Sequence, residues 1–181
     1  KSGIRSRGVV HPPASLRAPN RLEYTPIAYR HLLPMLDRLP AGEDDVFLDY
    51  GCGYGRVLVA AARRPYRSVL GVELVPEFAE VARENVKKAR GMSRRDVRVI
   101  QADATEFDLP DDVTVLHFYN PFRGSILDAV IKKIRESLVR RPREIHTLYF
   151  NRDDFRRVVE ENPWIEVVEE MHLTDPVVGC G

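Results

Sequence analysis

From Val46 to Phe150 short apolar runs alternate with stretches whose apolar residues recur every three or four positions. A short apolar run bounded by glycine or charge predicts a buried strand, and the three-to-four spacing predicts a helix with one apolar side. The chain thus gives strands at Val46-Phe47-Leu48, Ser68 to Val72, Val97 to Ile100, Val113 to Phe118 and Ile145 to Phe150. Helices fall between them: Arg56 to Arg64, Pro76 to Gly91 with Phe78, Val81, Ala82, Val86 and Ala89 on one side, and a segment carrying Leu127, Val130, Ile131, Ile134 and Leu138. Arg152 to Glu161 reads as a helix stopped by Asn162-Pro163, and the partial alternation of Trp164 to Leu173 predicts a sixth strand. Upstream, Thr25-Pro26 is an N-cap and first turn leading into a helix through Leu39 that Pro34 interrupts.

Repeated strand-helix-strand units are the mark of an α/β fold, here a Rossmann-like three-layer sandwich with a mostly parallel sheet. Gly3, Gly8, Pro12, Pro13 and Pro19 rule out a regular helix at the start, so residues 1–23 are expected as an extended arm and 24–181 as a single domain. Charge sharpens that division. The arm holds Lys1, Arg5, Arg7, Arg17 and Arg21 against Glu23, a net +4, while the whole chain carries +1. Such an arm either pairs with a polyanion or is a solvated tail.

Apolar residues at 44% and charged residues at 30% are the balance of a globular domain. The longest aliphatic run, Val57 to Ala62, is far shorter than the ~20 residues of a membrane helix, so no membrane partner and a cytoplasmic location are expected. Cys52 and Cys180 stand in unlike contexts and offer no repeated ligand spacing, so no metal is expected.

The stretch richest in chemistry is Phe47-Leu48-Asp49-Tyr50-Gly51-Cys52-Gly53-Tyr54-Gly55-Arg56, a strand ending in an acid and running through a glycine turn into a helix. Glycines let the backbone approach a nucleotide-like ligand closely. Val72-Glu73 and Ala102-Asp103 end the next two strands in the same way, which places three carboxylates along one carboxyl edge of a parallel sheet, where open α/β folds bind ligands. An adenosine suits that edge: Glu73 is positioned for the ribose hydroxyls, Asp103 for the adenine amine and the Ala104 N–H for a ring nitrogen. A nicotinamide dinucleotide suits it less, because the third glycine of that fingerprint falls at Arg56.

On these residues the chain resembles the class I S-adenosylmethionine-dependent methyltransferase family over roughly residues 24 to 173. The resemblance implies that Asp49, Gly51, Cys52, Gly53 and Gly55 hold the methionine part of S-adenosylmethionine, that Glu73 binds ribose, and that Asp103 with Ala104 binds adenine. It also implies a terminal β-hairpin, for which Asp175 to Gly181 provide too few residues, so an incomplete hairpin is expected. Tyr24-Thr25-Pro26, Tyr29-Arg30, Gly55-Arg56-Val57-Leu58 and Tyr119-Asn120-Pro121-Phe122 are similar to bacterial proteins that resemble the non-SET histone-lysine methyltransferases.

Tyr119-Asn120-Pro121-Phe122 follows the fourth strand at the same edge and resembles the Asn-Pro-Pro-aromatic motif of amino-group methyltransferases, with one proline in place of two. Two readings stay open. Asn120 touches the cofactor and aligns an acceptor amine with Tyr119, Pro121 and Phe122, or the segment is a turn in which Asn120 caps backbone groups and Phe122 packs. His117 reads as a satisfied core or sheet histidine, Arg140, Arg141 and Arg143 as a solvated cluster, and Glu106 and Asp108 as nearby acids available as a base. The acceptor, whether protein, nucleic acid or small molecule, is not specified by the sequence. The function expected is methyl transfer from S-adenosylmethionine, against the alternative of a non-catalytic binding module or partner subunit.

Overall fold

A computed structural model describes residues 26–89, 96–150 and 152–171. The expected arm, Tyr24, Thr25, Gly91 and Cys180 lie outside them. The strands are β1 (Val46–Tyr50), β2 (Ser68–Glu73), β3 (Asp96–Gln101), β4 (Val115–Tyr119) and β5 (His146–Phe150), and the helices are α1 (Tyr29–Leu36), α2 (Arg56–Ala61), α3 (Pro76–Lys88), α4 (Gly124–Arg140) and α5 (Arg152–Glu161). The five strands form one sheet in the order β3-β2-β1-β4-β5. Every pairing is parallel, as strands joined through crossover helices must be.

Alternation along each strand divides the core in two. Phe47, Val69, Val115 and Leu148 face α1, α2 and α3, while Val46, Leu48, Tyr50, Leu70, Val72, Leu116 and Phe118 face α4 and α5. β1 is buried throughout, and so is β2, which explains their near-continuous apolar sequence. Pro34 lies inside α1 instead of ending it.

The expected sixth strand is not formed. Residues 165–171 have no regular structure, and Val167 and Val168 are exposed, so the partial alternation of this stretch is not matched by a buried face. Among the described residues, β5 therefore has a strand on one side only.

Of the arginines before β5, Arg140 and Arg141 are exposed as expected, while Arg143 is half-buried and tied down. Arg143 donates from Nε to the Val113 carbonyl at 2.7 Å and from Nη2 to Ser137 Oγ at 2.9 Å, and Arg140 pairs with Asp111 at 2.9 Å. These contacts fasten the amino-terminal end of β4 and β5, opposite the edge where the strands end.

Candidate cofactor site

The carboxyl edge is shaped by a turn that only glycine accommodates well. Gly51, Gly53 and Gly55 have φ of 71°, 52° and 74°, in the left-handed region where a Cβ is costly. The amides of Gly51 and Cys52 both donate to the Val72 carbonyl, at 2.9 and 3.0 Å, which draws the turn across the end of β2. Gly55 serves α2 as well, since a Cβ there would lie 3.2 Å from Ala82 Cβ and push α2 from α3.

Glu73 ends β2 directly beneath this turn. One carboxylate oxygen accepts the Gly53 N–H at 2.8 Å and the other accepts the Val75 N–H at 2.9 Å. It is only 7% exposed. Burial raises its pKa above the ordinary carboxylate value, these amides pull it back, and the neighbouring Asp49 raises it further. With the Leu74 amide also directed at it, the carboxylate keeps one lone-pair site for a hydroxyl donor.

Asp49 lies one strand over, opposite Gly71 of β2 and His117 of β4. It is 2% exposed, His117 is 0% exposed, and Oδ1 is 2.7 Å from His117 Nδ1. Burial raises the Asp49 pKa and His117 offsets part of that rise. His117 thus sits in the core as expected, but it is not fully satisfied, because Nε2 has no hydrogen-bond partner among the described residues. Between Asp49 and Glu73, the Cys52 thiol is pushed up by burial and by both carboxylates, which makes it a packing group instead of a nucleophile.

Asp103 follows β3, half-buried, and its Oδ1 accepts both the backbone N–H and the hydroxyl of Thr105, at 2.9 and 2.8 Å. Ala104 follows in the same loop. The edge therefore offers carboxylate acceptors in a row, and an adenosine offers ribose hydroxyls and an exocyclic amine as donors. With the backbone open at three glycines, these residues fit S-adenosylmethionine.

Beyond β4, Asn120 has φ of 47°, a left-handed conformation uncommon outside glycine, and its N–H reaches the Phe150 carbonyl at 3.3 Å. Tyr119 packs on Phe150 with ring centroids 4.8 Å apart, and burial pushes its phenol up to about 12. Phe122 belongs to the core, 6% exposed and edge-on to Tyr50 and Phe118, which leaves little of its ring for a ligand. The structure brings Pro121 against Gly51 of the glycine turn and packs the Phe122 ring into the core beside Tyr50. Asp108 is exposed and paired with Lys133 at 2.7 Å, which lowers its pKa and makes it a weak base.

Sequence reasoning missed two supports. Asn85, buried in α3, donates its amide to the Tyr54 carbonyl at 2.8 Å and so holds the glycine turn from behind. Gly71 lies under Cys52 and Leu58, where a Cβ would come within 2.8 Å of the Cys52 sulfur. A buried polar residue on an otherwise apolar helix side was the available signal for Asn85. Arg56 donates to the Ile27 carbonyl at 2.6 Å and lies over the Tyr29 ring at 5.1 Å, joining the start of α1 to this edge.

A parallel α/β sandwich with a glycine turn and acids along its carboxyl edge defines the class I S-adenosylmethionine-dependent methyltransferase fold, with S-adenosylmethionine as cofactor. A family model described as a methyltransferase domain matches residues 47–141, more than half of the chain, and the chain belongs to that family. A curated protein-lysine N-methyltransferase of Saccharolobus islandicus is 28% identical over 96 residues, covering 52% of this chain and 58% of that protein. The chain thus spans less than two thirds of that relative. The solved precorrin 8W decarboxylase of Methanobacterium thermoautotrophicum shares the fold at 21% identity and a TM-score of 0.58, covering 82% of this chain and 74% of that one. A TehB-like methyltransferase of Corynebacterium glutamicum shares it at 18% identity and a TM-score of 0.52, covering 72% and 70%. Among the described residues no group of His, Cys, Asp and Glu could hold a metal, and no helix is long and apolar enough to cross a membrane.

Proposed function

We propose that this chain is an enzyme that transfers the methyl group of S-adenosylmethionine to an amine, with Glu73 on the ribose, Asp103 and Ala104 on adenine, the Asp49-to-Gly55 segment around the methionine part, and Asn120 on the acceptor. The observation that carries the cofactor site is Glu73, a buried carboxylate fixed by two backbone N–H groups under a left-handed glycine turn. The amine acceptor is supported by Asn120, held in an uncommon backbone conformation beside that turn, and by the likeness to a protein whose printed name is a protein-lysine N-methyltransferase.

S-adenosylmethionine supplies a methyl group on a positively charged sulfur, ready for in-line displacement. The chain has to bind, align and exclude water. A neutral amine needs orientation more than a base, and the Asn120 side-chain carbonyl and the carbonyl of its backbone are acceptors for its N–H bonds. Calorimetry with S-adenosylmethionine, S-adenosylhomocysteine and NAD tests the site. Binding of the first two but not NAD is expected, and binding of NAD alone would refute the reading. With a lysine peptide as acceptor, more than one equivalent of S-adenosylhomocysteine should form per chain; a single stoichiometric burst would mark a binder.

A further inference from the structure

His117 is buried against Asp49 at the carboxyl edge, and the proposed chemistry gives it no role. The two residues are register partners on adjacent parallel strands, so their side chains emerge side by side on the α1–α3 face of the sheet. Their 2.7 Å contact is out of solvent at both ends. His117 Nε2 has no partner among Phe47, whose ring stacks on it at 6.2 Å, and the surrounding apolar residues. A bare nitrogen lone pair in such surroundings costs far less than an unpaired N–H of a cationic ring. The contact is therefore an Nδ1–H donated to Asp49, with the bare Nε2 lone pair on the apolar side.

Glu73 is the neighbouring carboxylate, and the Cys52 thiol lies between the two acids. Glu73 is already fixed by the Gly53 and Val75 amides, whereas Asp49 has His117 alone among the described side chains. A carboxylate held by one ring N–H, at the base of a glycine turn, is suited to a cation at that turn.

We propose that His117 is a positioning residue whose Nδ1–H holds the Asp49 carboxylate in place for the α-ammonium of the cofactor's methionine end. This rests on the cofactor reading above. The imidazole makes no contact with the ligand; it fixes the rotamer of Asp49, and so acts on the amino-acid end of the cofactor and not on its adenosine.

The test uses two probes that differ at that end: S-adenosylhomocysteine, which has the ammonium, and methylthioadenosine, which lacks the amino-acid end. In the full chain, His117→Leu should weaken S-adenosylhomocysteine at least tenfold by calorimetry and methylthioadenosine less than twofold. His117→Asn places an amide donor where Nδ1 was and should recover most of the loss. If His117→Leu does not fold, His117→Gln, whose amide reaches the Nε2 position instead, takes its place against His117→Asn. Equal losses for both probes, or unchanged affinity for S-adenosylhomocysteine, would overturn the positioning role. A wild-type chain that binds neither probe would instead refute the cofactor site itself.

Discussion

Gly51 and Pro121 are in contact across the sheet edge, so closely that a Cβ on Gly51 would lie 2.6 Å from Pro121 Cβ. The turn that follows β1 and the turn that follows β4 are therefore one packed unit. Gly51→Ala meets two penalties there: left-handed backbone costs an L-residue about 1–2 kcal/mol, and overpacking adds about 1–3 kcal/mol. Denaturant melts should register a loss of that combined size, and calorimetry should show weaker cofactor binding as well.

Asn120 is held at a φ of 47°, so its backbone and its amide can be tested apart. Asn120→Gly frees the backbone and removes the amide, while Asn120→Ala removes the amide and leaves a strained residue. Both should retain cofactor affinity within a few fold and lose turnover by about a hundredfold, since small misplacements of a reacting pair cost that much. Only Asn120→Ala should also lose stability, by about 1 kcal/mol. Normal turnover in Asn120→Gly would remove Asn120 from acceptor alignment.

Asn85→Ala removes the amide that donates to the Tyr54 carbonyl. Loss of such a hydrogen bond costs about 0.5–1.5 kcal/mol, which thermal unfolding will report. Because Tyr54 lies between Gly53 and Gly55, cofactor affinity should fall severalfold although Asn85 lies outside the edge. Unchanged affinity would show that the turn keeps its shape unaided.

Glu73 ties stability to pH in a defined direction. Its folded pKa is raised, so the folded state holds the proton more tightly than the unfolded chain, and ionising it costs stability as pH rises from the ordinary carboxylate value through the raised one. Glu73→Gln does not titrate there. Without cofactor, the melting temperature of the wild type relative to Glu73→Gln should therefore decline as pH rises across that window, and cofactor affinity at neutral pH should be at least tenfold weaker in the variant. A difference independent of pH would show that the surrounding amides fully offset burial.

The strands and helices from Val46 to Glu161 were legible because each strand run is short and the longer helices have one apolar side. The edge acids were legible for a related reason: Asp49 and Glu73 lie at the ends of buried strands and Asp103 follows the partly exposed β3. Pairing across strands was not. That His117 falls opposite Asp49 depends on the order β1-β4 and its register, which no local pattern encodes. Trp164 to Leu173 misled because alternation needs a buried face to become a strand, and none is supplied for its described residues. Phe122 likewise obeys an aromatic cluster that includes Tyr50, which lies far from it in sequence, with Phe118.

Arg143 and Arg140 clamp one end of the sheet through Val113, Ser137 and Asp111, while the other end is made of glycines and a left-handed asparagine. Side-chain clasps and backbone turns are thus assigned to opposite poles of the same strands. Substitutions at the turn pole leave the clasp that keeps the strands aligned in place, so binding preference and architecture are set by separate residues.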